Sequence, residues 1–146
     1  LSLDGVFTAD FDNYVVAING ITSNIPNTYI RLRSSGVDAT TGYTYQQIIA
    51  NNTTVAGART TAVQAIRVGS GSTTFHGSDN VAIYGPYLSQ PTAARSIALV
   101  DNGSGEVTLA DFAGTSSNAT SYDGFTYYTN STHTTTGKLT VMGVRS

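Results

Sequence analysis

The chain of 146 residues has no cysteine and no tryptophan, and charged residues make up only 11% of it. Without cysteine, no disulfide can cross-link the fold and no thiol can act as a nucleophile or a metal ligand. An average soluble protein carries about 25% charged residues, so most of this surface must be neutral. Threonine, serine, asparagine and glycine supply its polar groups instead.

Positive charge is sparse and dispersed. The formal net charge is −2, and the basic residues are scattered from position 31 to position 145. A protein that binds a nucleic-acid backbone needs concentrated positive charge, so we do not expect nucleic acid as a partner. No apolar run reaches the roughly 18 residues that a membrane-spanning helix requires, so we do not expect membrane insertion.

Apolar and polar residues alternate in several short stretches that are separated by turn-forming residues, a pattern typical of β-strands. In residues 29–33 the alternation predicts that Ile30 and Leu32 point inward. Residues 14–18 and 64–68 alternate in the same way. These stretches therefore predict strands with one buried face.

No stretch keeps a 3.6-residue period, although the alanine-rich residues 55–63 permit a short helix. We predict an all-β fold, an antiparallel β-sandwich of jelly-roll type, formed by a single domain over residues 1–146. Because the chain begins at Leu1 rather than at methionine, we expect it to be a module of a longer, fibre-like chain.

Three further segments carry specific expectations. Residues 101–105 have the turn chemistry of a type I′ β-hairpin. Residues 69–74, rich in glycine and serine, predict a flexible loop. Residues 125–129 and 138–144 flank a polar segment, so they predict a C-terminal hairpin with a long polar tip.

The last strand, residues 138–144, has apolar residues on both faces. Leu139 and Val141 lie on one side, and Met142 and Val144 lie on the other. A monomeric sandwich covers only one face of each sheet, so the second face needs another cover. We predict that a second subunit provides this cover and that Leu139 belongs to the core.

Several phrases of the chain resemble a module of bacteriophage proteins. They are VF and DNYVV at residues 6–7 and 12–16, RLRSSGVD at 31–38, YDGF at 122–125, and TGKLTVMG at 136–143. Together they resemble the C-terminal module of tail-fibre and minor virion proteins of tailed bacteriophages. That module ends in a more aromatic sequence, and Met142 and Val144 stand where it has tyrosines.

The resemblance implies a β-sandwich near the end of a fibre or spike chain, assembled as a homotrimer with other virion proteins. It implies attachment to a glycan or protein of the host surface, from a tail appendage rather than the capsid surface. Two alternatives stay open: a capsid decoration or head-fibre protein, and a carbohydrate-binding module of a secreted enzyme. The module carries no catalytic motif.

The residues themselves also show no catalytic or metal-binding pattern. His76 and His133, the only histidines, lie in polar loops without the spacing of a zinc site. Residues 101–106 bring acidic groups together, as calcium loops do, but the hairpin turn explains them fully. We therefore expect no enzymatic activity, no metal and no cofactor.

Nine tyrosines are the main candidates for contacts with other molecules. Core or interface packing is the expectation for Tyr14, Tyr84 and Tyr87. Tyr127 and Tyr128 are adjacent in a strand, so one of them must point outward. Our candidates for receptor contact are Tyr127, Tyr128, His133 and His76, and those for the subunit interface are Met142, Val144, Tyr29, Arg31 and Arg33.

Overall fold

The computed structural model describes residues 1–101, 104 and 106–145, and within them the regular structure is entirely β. The prediction of an all-β chain is therefore confirmed. The strands are β1 (Ser2–Leu3), β2 (Asn13–Thr22), β3 (Asn27–Ser34), β4 (Val37–Asp38), β5 (Tyr43–Asn51), β6 (Thr54–Val63), β7 (Ile66–Ser70), β8 (Gly77–Tyr84), β9 (Thr92–Asp101), β10 (Val107–Ser116), β11 (Gly124–Thr129) and β12 (Thr135–Val144).

The strands form two antiparallel sheets that pack together, which confirms the predicted β-sandwich. The five-stranded sheet runs β1-β11-β3-β4, with β7 also paired to β3. The seven-stranded sheet runs β12-β2-β8-β9-β10-β5-β6. Pairing is nested in the manner of a jelly roll: β2 with β12, β3 with β11, and β5 with β10. The β8-β9-β10 meander fills the middle of the larger sheet.

The core lies between the sheets and follows the predicted alternation. Ile30 and Leu32 of β3 are each 1% exposed. Tyr43 is fully buried, and its hydroxyl accepts a hydrogen bond of 2.9 Å from the Leu32 backbone N–H. Burial raises the pKa of the Tyr43 hydroxyl, so it stays neutral in the core. Its polar end is thus satisfied without water.

The expectation for three tyrosines is met only in part. Tyr14 is buried, and its hydroxyl accepts a hydrogen bond from the Thr8 backbone N–H and donates one to the Thr8 carbonyl. Tyr84 and Tyr87 remain exposed, so they are not core residues, and their place in an interface stays a prediction. Tyr84 follows the buried Ile83 in β8, so its side chain points to the outer side of the sheet.

The predicted C-terminal hairpin is wrong. β11 pairs with β1 and β3 in the five-stranded sheet, whereas β12 pairs with β2 in the seven-stranded sheet. Residues 130–134 carry the chain from one layer to the other. Each strand buries more apolar surface by joining a different sheet than the two would bury as an isolated hairpin.

Two other expectations are corrected by packing. Residues 55–63 form part of β6, because pairing along β5 overrides the helical preference of alanine. Residues 69–72 are buried rather than part of a flexible loop, whereas Thr73 and Thr74 are exposed. Ser72 is fully buried, and its hydroxyl donates to Asp101 Oδ2 at 3.0 Å. β9 and β10 form the predicted hairpin, and their pairing begins where Asp101 lies opposite Val107. Its predicted type I′ turn involves Asn102, Gly103 and Gly105, which lie outside the described residues.

A β-bulge in β6 gives a first prediction. The register shifts between Tyr43 and Thr44, so Ala62 has no partner, and it adopts a φ of +54°. This left-handed conformation costs a non-glycine residue about 1–2 kcal/mol. We expect Ala62→Gly to raise the free energy of unfolding by about 0.5–1 kcal/mol, measured by chemical denaturation.

The matched control is Ala58→Gly, in the same strand and without a positive φ. It should lower stability by about 0.5–1 kcal/mol, because glycine costs backbone entropy. Equal destabilisation by both substitutions would contradict the strained bulge.

Candidate binding groove

A groove of about 590 Å³ opens at the edge of the sandwich, where the sheets part between β11 and β12. We call it the edge groove; it is formed by Leu1 and parts of β2, β11, β12 and residues 130–134. Because β11 and β12 belong to different sheets, the crossing loop closes one side of this opening. The groove therefore exists because residues 130–134 cross between the sheets instead of forming the turn of the predicted hairpin.

The groove is apolar at depth and polar around its rim. Ile18 belongs to the core, and Leu139 and Tyr127 pack against that core from the groove side. Leu139 and Val141 therefore face inward, as predicted. The rim consists of hydroxyl, amide, imidazole and amine groups, from Asn19, Thr129, Ser131, Thr132, His133, Thr135 and Lys138.

Tyr127 is the inward member of the tyrosine pair. Its backbone N–H donates to the Leu1 carbonyl at 2.8 Å, and its carbonyl accepts from the Leu1 amino group at 2.9 Å. Burial, with the Asp79 carboxylate nearby, raises the pKa of the Tyr127 hydroxyl. The hydroxyl is therefore neutral at ordinary pH and can donate a hydrogen bond.

Tyr128 is the outward member, as the alternation required. Its ring stacks on Tyr29 with centroids 5.6 Å apart, and the Arg31 guanidinium lies 4.5 Å from the Tyr128 centroid. Arg31 also donates from Nε to the Gln64 carbonyl at 3.0 Å. This packing fixes Tyr128 at the outer wall of the groove, which it also lines.

Arg33 stands in the same row and is held by two acidic residues. It bridges Asp4, with Nε 2.8 Å from Oδ1, and also pairs with Asp38. Tyr29, Arg31 and Arg33 thus have partners within their own chain. Their proposed place in a subunit interface remains a prediction, as does that of Met142 and Val144, which are 46% and 43% exposed on β12.

The structure brings three of the four receptor candidates to the edge groove: Tyr127, Tyr128 and His133. His133 contacts the Ser131 hydroxyl through Nε2. His76 does not line the groove, but its Nδ1 lies 3.1 Å from Oδ1 of Asn19, which does. His76 therefore reaches the groove only through a neighbouring side chain.

The sequence analysis missed a buried carboxyl group beside the groove. Asp79 is 4% exposed and accepts a hydrogen bond of 3.2 Å from the Thr28 hydroxyl. It lines a small cavity of about 20 Å³ that shares Ile18, Gly20, Tyr127 and Thr135 with the edge groove. The position could have been found, because Asp79 shares a strand face with Val81 and Ile83.

The Asp79 carboxyl group has room only because residue 69 is a glycine, which has no side chain. A Cβ at Gly69 would overlap the Asp79 carboxylate. Desolvation raises the pKa of Asp79 to about 7, although the Thr28 hydroxyl and nearby Arg67 act in the opposite direction. The Asp79 carboxyl group therefore changes its protonation state near neutral pH.

In residues 1–101, 104 and 106–145, no group of three or more histidine, cysteine or acidic side chains could hold a metal ion. The same part of the chain has no helix long and apolar enough to cross a membrane. Comparison with family models, curated proteins and solved structures gives no match, so function must be argued from the site itself.

Asp79 gives a pH-dependent prediction. Its folded-state pKa of about 7 lies above its ordinary value of 3.8, so folding favours the protonated form. Protonated Asp79 contributes its full stabilisation of the fold below about pH 4, and this stabilisation is lost as the pH rises through 7. Asp79→Asn, which mimics the protonated group, should therefore be more stable than the unaltered chain at pH 8, by on the order of 2–4 kcal/mol.

The measurement is denaturant unfolding of both proteins between pH 4 and pH 8. The advantage of Asp79→Asn in the free energy of unfolding should grow across this range. A pH-independent difference for Asp79→Asn would contradict the buried, proton-exchanging carboxyl group.

Proposed function

We propose that this chain is a non-enzymatic attachment module of a tailed-bacteriophage virion, part of a homotrimeric tail fibre or related appendage. It contacts other virion proteins and holds a glycan or protein of the host surface in the edge groove. The observation that carries this proposal is the convergence of Tyr127, Tyr128 and His133 on one open groove. The resemblance of residues 31–38 and 136–143 to the phage module supports the same function.

The chemistry of the edge groove suits a carbohydrate in particular. A sugar presents apolar C–H faces and a ring of hydroxyl groups. The apolar depth at Ile18, Tyr127 and Leu139 can cover such a face, while the rim hydroxyl and amide groups can pair with sugar hydroxyls. Lys138 adds one positive charge, which favours sugars that carry a carboxylate or phosphate.

Two other functions predict different locations for the chain. A carbohydrate-binding module of a secreted enzyme would use the same groove, so the groove favours it as the second candidate. A capsid decoration or head-fibre protein would lie on the head. Immunogold labelling of phage particles should mark the tail; labelling of the head alone, or of no particle, would overturn the tail assignment.

Binding itself is tested with a panel of bacterial surface polysaccharides. We expect the chain to bind at least one, and His133→Ala and Lys138→Ala each to weaken that binding about 3–10-fold, as loss of a polar contact does. Tyr87→Ala is the control, because Tyr87 is exposed but does not line the groove.

Fluorescence or calorimetric titration with the bound polysaccharide gives the ratios. Failure to bind any member of the panel would count against a glycan ligand. Equal effects of His133→Ala and Tyr87→Ala would mean that the ligand lies outside the edge groove.

A further inference from the structure

Exposed apolar side chains concentrate on the outer face of the seven-stranded sheet. We call the central part of this face the apolar face; it consists of Ile48, Val55, Ile97, Leu99, Val107 and Leu109. Ile48, Ile97 and Leu109 are 51%, 51% and 53% exposed, although each belongs to a regular strand. Large apolar groups usually avoid such exposure when no partner covers them.

Strand register places these residues side by side. Leu99 lies opposite Leu109, which lies opposite Ala50, and Ala50 lies opposite Val55. In the next row of the same face, Ile97 lies opposite Asp111, which lies opposite Ile48. The apolar side chains of four strands therefore form one continuous surface rather than isolated contacts.

Two opposite charges within this surface neutralise each other. Arg95 Nη2 lies 2.6 Å from Asp111 Oδ2, and both side chains are on the outer side of the sheet. Arg59 lies in the row of Arg95 at the margin of this surface, so one positive charge remains there. The six apolar-face residues themselves carry no charge, so contact between two copies brings few like charges into opposition.

The size of the sheet also fits a stable contact. Seven strands about 4.8 Å apart and eight to ten residues long, at about 3.3 Å per residue, give the whole outer face roughly 800–900 Å², and the four strands that carry the apolar face supply somewhat over half of it. A standard interface buries about 800 Å² on each partner.

We propose that copies of this chain associate through the apolar face of the seven-stranded sheet. Met142 and Val144 lie on the same outer side, on β12 at the edge of that sheet, so they belong to the margin of this interface rather than to its centre. The proposal stands whatever the edge groove binds, since none of the six apolar-face residues lines that groove.

The test is the mass in solution by light scattering, from about 1 to 100 µM. We expect an oligomer whose dissociation constant rises at least about tenfold in Leu109→Asp, because a carboxylate would be buried at the contact. Val37→Asp is the matched control: Val37 is 69% exposed but lies on β4 of the other sheet, so its mass should be unchanged.

Ile97→Thr provides a milder variant that keeps a β-branched residue, should Leu109→Asp fail to fold by circular dichroism. It should also weaken association. A wild-type chain that stays monomeric at about 100 µM would overturn the proposal and leave the face to a different partner. An oligomer that neither Leu109→Asp nor Ile97→Thr weakens would place the interface elsewhere. If a monomeric variant still binds polysaccharide, the association of copies and the proposed function of the edge groove are independent.

Discussion

The structure depends on one constraint: β11 and β12, which follow each other closely in the chain, lie in different sheets. Residues 130–134 lead from β11 in one layer to β12 in the other, and each strand pairs with a partner more than 90 positions earlier. This crossing holds the layers apart at their edge. The edge groove exists because two strands that could have closed on each other instead form its opposite walls.

Low charge gives this architecture its second property. With few ionic groups to keep copies apart, the exposed apolar side chains on the outer face of the larger sheet are the surface through which we propose that copies associate. Most charged side chains contact other groups of the same chain, as the ion pairs of Arg33 with Asp4 and of Arg95 with Asp111 illustrate. The edge groove and the apolar face are thus separate surfaces, for which we propose a glycan or protein ligand and a further copy of the chain respectively.

Local alternation was sufficient to predict most of the strands and their buried faces. Ile30 and Leu32 pointed inward as expected because side-chain direction in a strand depends only on position. The local pairing of β9 with β10 was predicted from the turn residues, whereas the pairing of β12 with β2 was not, because it depends on distant sequence. The strand at residues 55–63 was missed since alanine favours helices until a neighbouring strand offers hydrogen bonds. Tyr127, Tyr128 and His133 were identified by residue type, but only the crossover brings them to one groove.

The pairing of β12 can be measured directly, because the chain contains no cysteine of its own. Ala17 and Thr140 are directly opposite across β2 and β12, so Ala17→Cys with Thr140→Cys should form an intramolecular disulfide on oxidation. A cysteine pair replacing Tyr128 and Lys138 should not, since β11 and β12 lie in different sheets. Mass spectrometry of the oxidised chain would show the bond. Cross-linking of the second pair but not the first would restore the C-terminal hairpin and remove the basis of the edge groove.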